Sequence, residues 1–156
     1  MDTNKRKELK VSAIRNGTVI DHIPAASTFQ VIKILGLESS QNQIYIGNHL
    51  ESQKFGTKGI IKISQKYFEK DEINKIALVA PSATLIEIKD YEVTSKSKVE
   101  APAYIEKIAK CFNPKCVTNN QNIDTKFKVI TDHHGRMKLK CHYCEKTMGQ
   151  ENIEFI

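Results

Sequence analysis

Four cysteines constrain this chain more than any other residues. They fall as two close pairs, Cys111-Phe-Asn-Pro-Lys-Cys116 and Cys141-His-Tyr-Cys144, with twenty-four residues between the pairs. A tetrahedral Zn2+ ion takes four soft, deprotonated ligands, and knuckles of the form C-x(2–4)-C deliver two thiolates each from a tight turn. Asn113-Pro114 supplies turn chemistry to the wider knuckle. Four thiolates leave no open coordination position, so one zinc ion held here is structural, not catalytic. Three other readings remain open at this point. Two disulfides suit a small secreted domain, but the first residues include Asp2, Asn4, Lys5 and Arg6 rather than a signal-peptide pattern. A redox dithiol at Cys141 and Cys144 explains one pair and leaves the other idle. An imidazole from His133, His134 or His142 could stand in for a thiolate.

The cysteines also divide the chain. The 56 residues from 101 to 156 carry few large apolar side chains. A domain of that size buries too little surface to fold well alone, so a metal would contribute much of its folding free energy. Residues 1–100 are long enough for a core of their own. The polar stretch from Lys96 to Pro102 lacks periodicity and ends in proline, as a linker does. Two domains are therefore expected, 1–100 and 101–156.

Charge is spread evenly between them. Residues 1–100 hold 15 Lys and Arg against 12 Asp and Glu, and residues 101–156 hold 9 against 6, so each carries half of the net +6. A mild, undivided basic bias is weak support for polyanion binding and none for sequence-specific DNA reading. No apolar run reaches the length of a membrane span. With cysteines of the reduced, metal-binding kind, the chain is expected in the cytoplasm.

In the first domain, Glu8–Ile14 and Thr18–Ile20 read as strands about an Asn16-Gly17 hairpin signal. A helix is expected from Pro24 to Gly36, then a strand over Ile44–Leu50, a polar loop over Glu51–Gly59 and a strand over Ile60–Ile63. A second helix starts near Asp71 and stops before Pro81. Thr84–Asp90 alternates as a strand that Tyr91–Thr94 continues after a kink. The order β-α-β-β-α-β predicts an α+β, ferredoxin-like domain, an antiparallel sheet with both helices on one face. In the second domain, strands over Lys126–Ile130, Met137–Cys141 and Asn152–Ile156, with a turn at His134-Gly135, predict a small all-β, zinc-ribbon-like module.

Catalytic signatures are missing. The chain has no Gly-x-x-x-x-Gly-Lys phosphate loop, no Gly-x-Gly-x-x-Gly, no Gly-x-Ser-x-Gly and no His-Glu-x-x-His. Asp21-His22 is the one adjacent acid–base pair singled out, and neighbours on a regular strand point to opposite faces. Lys58, Lys62 and Lys96 could form a dispersed anion site, or simply be solvated.

Five further stretches carry a resemblance: Gly17-Thr-Val-Ile-Asp-His-Ile-Pro24, Ile44-x-Ile-Gly47, Lys58-x-x-Ile-Lys-Ile63, Ala77-Leu-x-Ala-Pro81-x-Ala-Thr84 and Tyr91-Glu-Val93-x-x-Lys96. With Cys111-x4-Cys116 and Leu139-Lys-Cys141-x-Tyr-Cys144-Glu145, they resemble the regulatory chain of aspartate carbamoyltransferase from about Leu9 to Glu145. The resemblance implies a non-catalytic subunit of pyrimidine biosynthesis. Its first domain would bind CTP as inhibitor, with UTP assisting in some members, and ATP as activator. Its zinc domain would dock on catalytic chains, and the chain would pair with itself as a regulatory dimer.

The resemblance also implies residue roles. Val11, Ala13 and Ile14 match a backbone segment that reads the base. Asp21 matches the ribose carboxylate, and His22 and Lys96 match phosphate contacts. Lys62 matches a ribose or base contact, and Tyr91 and Val93 match backbone contacts. Asn113 and Glu145 match positions facing the catalytic chain. Two positions depart from the pattern. Ile86 stands where many relatives have a phosphate-binding asparagine, and Lys115 where some have a second interface asparagine. The competing reading is a zinc-ribbon protein that binds nucleic acid, against which stand the even charge and few aromatics on basic strands.

Overall fold

The computed structural model describes residues 13–53, 56–133 and 136–156. Contacts divide the chain into two compact units, one ending at Glu100 and one beginning at Ala101. The first unit runs β1 (Gly17–Pro24), α1 (Thr28–Ile34), β2 (Ile44–Ser52), β3 (Gly56–Ser64), α2 (Lys70–Val79), β4 (Thr84–Lys89) and β5 (Glu92–Lys98). The strands form one sheet in the order β2-β3-β1-β4-β5, and every neighbouring pair is antiparallel. The first four strands with two helices make the split β-α-β unit, and β5 adds a fifth strand beside β4.

Periodicity explains the core. Thr18 and Ile20 of β1 lie opposite Ile63 and Ile61 of β3, and Leu85 of β4 lies opposite Ile20. All five are buried. Thr28 at the start of α1 presses on Gly59, where a Cβ would overlap the threonine hydroxyl, so the helices cover this same face. From α2, Ile76, Ala77, Leu78 and Val79 are buried. This helix begins with a capping box, in which the Glu72 side chain accepts from the Glu69 backbone N–H. Its last turn closes at Ala80, before Pro81. Gly36, left-handed at φ 64°, closes α1.

The structure corrects several expectations. β1 continues through Pro24, paired with Lys58, and Ala25–Ser27 wind as a 3-10 turn, so α1 starts a turn later than expected. Glu51–Gly59 is not a loop. Leu50, Glu51 and Ser52 pair with Lys58, Thr57 and Gly56, and with Glu51, Gln53, Gly56 and Thr57 exposed the side chains here show no alternation. Tyr91–Thr94 does not continue β4. Asp90 and Tyr91, both left-handed at φ 51° and 66°, form a two-residue turn that sends β5 back along β4. Lys96–Lys98 therefore belong to a strand, and only residues beyond them connect the units.

Ala13 and Ile14 lie in no strand, and the remainder of the Glu8–Ile14 segment, Val11 included, lies outside the described residues. Gly17 opens β1 instead of making a hairpin turn. Its φ is 144°, and an added Cβ would fall on the Ile63 carbonyl oxygen. Gly17→Ala combines a disallowed backbone with overpacking, so urea unfolding should show a loss of about 2–5 kcal/mol.

In the second unit, β6 (Tyr104–Glu106), β8 (Lys126–Thr131), β9 (Met137–Cys141) and β10 (Thr147–Gly149) form a sheet in the order β10-β9-β8-β6. β7 (Ala109–Lys110) and β11 (Glu154–Phe155) form a separate pair, and α3 (Val117–Asn120) is a single turn. Ile105, Phe127, Leu139 and Met148 fill the inner side. The strand expected over Asn152–Ile156 shrinks to β11, because Gln150–Asn152 wind as a 3-10 turn. The His134-Gly135 turn lies outside the described residues.

Candidate metal centre and open sheet face

The four cysteines converge. Cys111 follows β7, Cys116 precedes α3, Cys141 ends β9 and Cys144 sits in the turn beyond it. Their sulfurs all lie within 4.8 Å of one another, with Cys111–Cys144 and Cys116–Cys141 at 3.7 Å. A disulfide requires about 2.05 Å, so the sulfurs are not paired as disulfides, and a redox dithiol at Cys141 and Cys144 alone does not account for the convergence of all four. A tetrahedron with Zn–S bonds of about 2.3 Å has sulfurs about 3.8 Å apart. The site therefore holds one metal ion, and its thiolates and spacing fit structural zinc. Among the described residues no histidine joins the cluster.

Local hydrogen bonds shape the knuckles. The Cys116 N–H donates to the Asn113 carbonyl at 3.0 Å, and the Glu145 N–H to the Cys141 carbonyl at 3.0 Å. Asn119 donates to the carbonyls of Cys111 and Asn113, and Asn120 to that of Cys116. Thr118 donates to the Cys116 sulfur at 3.2 Å. These α3 side chains were not singled out from the sequence, since a four-residue helix has no readable period.

Burial pushes the Cys111 and Cys141 thiols up. Burial acts the same way on Cys144, but the Lys146 backbone N–H and the Asn113 side chain outweigh it and bring this thiol down to about 7. Metal binding must expel the thiol protons, since even an ordinary thiol is largely protonated at neutral pH. At neutral pH at least two protons should therefore leave per zinc bound, so affinity falls about a hundredfold for each unit of acidification. Competition with a chromophoric chelator across pH reads this slope, and a slope clearly below two protons contradicts it. Asn113 is thus part of the knuckle itself, and Glu145 is exposed with a left-handed backbone at φ 62°.

The first unit's second feature is its helix-free sheet face. A row of cross-strand neighbours crosses it: Tyr45, Lys62, Val19, Ile86 and Lys96, contributed by β2, β3, β1, β4 and β5 in turn. Two bulges recruit further groups. Asp21 and His22 together oppose a single β3 residue, with His22 at φ 57°. That bulge turns the adjacent pair to one side: Thr84 is the cross-strand partner of Asp21 and is hydrogen-bonded to His22 Nδ1 at 3.0 Å. A second bulge at Thr94 and Ser95 shifts the register so that Val93 pairs with Ile88 while Lys96 pairs with Ile86. Val93 and Lys96, three residues apart, thereby share the face.

Asp21 is held firmly. Its Oδ1 accepts from Lys58 Nζ at 2.7 Å and from the His22 backbone N–H at 2.6 Å. The ion pair is largely buried, with side chains 20% and 15% exposed. Ser82 donates to the His22 carbonyl at 3.0 Å. Lys58, Ser82 and Thr84 are positioning residues that no local pattern marked for this role.

At one end of the face lies an open cleft of about 520 Å³, lined among others by Ala13, Ile14, Tyr45, Gln65 and Tyr91. The Tyr91 N–H donates to the Arg15 carbonyl at 2.9 Å, which fixes the β4–β5 turn beside the Ala13–Ile14 segment. Of the residues named from the sequence, the structure brings Ala13, Ile14 and Tyr91 to the cleft, and Asp21, His22, Lys62, Val93 and Lys96 to the open face. Val11 is outside the described residues.

Comparison with known proteins bears on both features. The sequence model of the family described as aspartate carbamoyltransferase regulatory chain, allosteric domain, matches residues 9–100. That described as the same chain's metal binding domain matches residues 103–154. The aspartate carbamoyltransferase regulatory chain of Parabacteroides distasonis is 49% identical over 98% of each chain. That of Pyrococcus horikoshii is 50% identical over 94% of this chain and 96% of its own. The Bacteroides fragilis regulatory chain is 49% identical over the whole of both. With both units matched, this chain belongs to the aspartate carbamoyltransferase regulatory-chain family, as a non-catalytic subunit built from an allosteric domain and a metal-binding domain.

Proposed function

We propose that the open face binds nucleotide effectors, with CTP inhibiting and ATP activating the catalytic partner. The observation that carries this reading is the pair of bulges, which turn Asp21 and His22 of the central strand β1, and Val93 and Lys96 of the edge strand β5, to a face that Lys62 of β3 shares. An acceptor-only carboxylate suits the two hydroxyl donors of a ribose. Lysines suit phosphates as flexible point charges where no phosphate loop exists. The backbone of Val11, Ala13 and Ile14 reads the base and tells an exocyclic amine from a carbonyl, and of these Ala13 and Ile14 line the cleft with Tyr91. Ile86 sits directly beside Lys96 in the row and cannot donate to a phosphate, so Lys96 and His22 carry that contact.

The zinc domain passes the effector's bias to catalytic chains, with Asn113 and Glu145 at the contact. The coupling equals the effector's difference in affinity for the two states of the assembly, typically about 1–3 kcal/mol. The chain also pairs with itself. The outer edge of β2 has no strand partner among the described residues, and Ile46 on that strand is 47% exposed, as is Phe29 on α1 at 67%. β5, the opposite edge, carries Lys96 and Lys98, which discourage edge pairing. The chain works in the cytoplasm, where thiols stay reduced for metal.

Light scattering on a sizing column tests the assembly. The zinc-loaded chain mixed with the catalytic trimer of its own organism should elute as one large defined complex. Separate elution at micromolar concentration with zinc bound would sink the regulatory reading.

A further inference from the structure

The cleft beside the open sheet face is lined quite differently from the face itself. The face carries Asp21, His22, Lys62 and Lys96. The cleft is walled by carboxamides and two tyrosines, Asn16, Gln41, Gln43 and Gln65 with Tyr45 and Tyr91. Among the described residues that line it none is acidic, and its one cation, Arg15, is paired with Asp90 at 3.3 Å. Such a cleft has little to hold a phosphate; a flat, uncharged polar group suits it. Its walls are also pinned. The Ser64 N–H donates to the Gln43 carbonyl, the Gln65 N–H to the Asn16 carbonyl and the Tyr91 N–H to the Arg15 carbonyl, each at 2.9 Å. These bonds tie together the segments that carry the lining. Gln65 and Tyr91 both sit in left-handed backbone, at φ 61° and 66°. Strain of this kind gathers at ligand sites. Glycine would adopt either conformation freely, so what the strain retains is the side chain. Among the described residues the Gln43 and Gln65 amides have no partner and are free to meet a ligand.

We propose that Tyr45 and Gln65 make this cleft selective for adenine, Tyr45 as a stacking platform and the Gln65 amide as reader of the base edge, an inference that rests on the nucleotide reading above. Backbone groups that tell an amine from a carbonyl cannot rank adenine against cytosine, because both bases present an exocyclic amine. The side chains can. A carboxamide holds its C=O and NH2 in one plane and matches adenine's N6 donor beside its N7 acceptor. Guanine presents two acceptors, O6 and N7, which call for a free arginine or lysine, and Arg15 is already paired. Cytosine also sets a donor, N4, beside an acceptor, but it has one ring to lay on Tyr45 where adenine has two. Stacking on an aromatic side chain changes affinity by roughly 5- to 150-fold per base, and the larger ring system gains more. Tyr45 is the cross-strand neighbour of Lys62, which places the platform where the uncharged cleft meets the charged face.

Calorimetric titration of ATP, CTP and GTP into the zinc-loaded full chain tests this, with the variants Y45A, Y45F and Q65G. Wild type should bind ATP most tightly, CTP less tightly and GTP least. Y45A should lose about tenfold for ATP and less for CTP, so the ratio of the two affinities falls, and Y45F should restore it. Q65G relieves a left-handed backbone, so its thermal midpoint should equal or exceed that of wild type while its preference for ATP over GTP falls. A purely structural role for either side chain would weaken all three nucleotides alike. Wild type that binds CTP as tightly as ATP, or a ratio unmoved by its variant, overturns the proposal and leaves the nucleotide reading standing. If Y45A fails to fold, Q65G decides by the ATP-to-GTP ratio. A wild-type chain that binds none of the three nucleotides overturns both.

Discussion

Cys141→Ser should abolish metal binding and unfold residues 101–156 while leaving residues 13–100 folded. Cys141 ends the central strand β9 and its sulfur lies 3.7 Å from that of Cys116, so its loss breaks the bond between the two knuckles. Structural zinc contributes apparent free energies of about 10–16 kcal/mol in small metal-folded modules, which exceeds what a core of this size supplies by itself. The three remaining sulfurs would also lose the partner they share. Zinc content and an amide correlation spectrum give the result: no metal, collapsed dispersion for the second unit, and native positions for the first. A zinc-free variant with a fully dispersed second unit would show that the sheet, not the metal, holds it together. Because the Gly59–Thr28 contact, the capping box and the five-stranded sheet lie wholly within the first unit, nothing in them depends on the metal.

Lys96→Ala should weaken CTP and ATP binding by about 10- to 150-fold, the effect of losing one charge-assisted contact of about 1.5–3 kcal/mol. Stability should not change. Lys96 is exposed on β5 and has no ion-pair partner among the described residues, so its removal orphans no buried group. Asp21→Ala is a poorer probe. It would free Lys58 from a largely buried pair and leave the His22 backbone N–H in the bulge without its carboxylate acceptor. Calorimetric titration of each nucleotide into wild type and variant separates the outcomes. Unchanged affinity would remove Lys96, and with it the register shift at Thr94, from the effector site.

Those two experiments probe parts that were unequally legible in the sequence. The metal centre could be read directly, because thiolate chemistry and knuckle spacing fix the ligands whatever surrounds them. β9 alternates cleanly between Met137, Leu139 and Cys141 inside and Lys138 and Lys140 outside, and its bounds match the expectation. α2 ends before Pro81 because proline leaves no alternative. β5 was misread because all seven of its residues are exposed, so no face was there to impose a pattern. The turn before it has Tyr91 in a left-handed conformation, which no propensity would assign to tyrosine.

The bulges explain the rest. Asp21 and His22 looked unable to act together, since neighbours on a regular strand diverge. A bulge is a relation between two registers, β1 against β3, and neither strand alone carries a mark of it. The same holds for Thr94, whose extra residue aligns Val93 with Lys96. The lysine pair across the second unit's sheet was likewise invisible. Lys128 and Lys140 are twelve positions apart in sequence and become opposite only when β8 pairs with β9. Charge counted along the chain is even; charge counted across the sheet is not.

The most direct test of the account is the aspartate saturation curve of the catalytic trimer assembled with this chain, recorded with and without saturating CTP or ATP. CTP should move the curve to higher aspartate and ATP to lower, within the roughly 5- to 150-fold range of ordinary allosteric coupling, and Lys96→Ala in the assembled complex should blunt both shifts at sub-saturating nucleotide. Superimposable curves from a complex that calorimetry shows to be fully nucleotide-bound would contradict it.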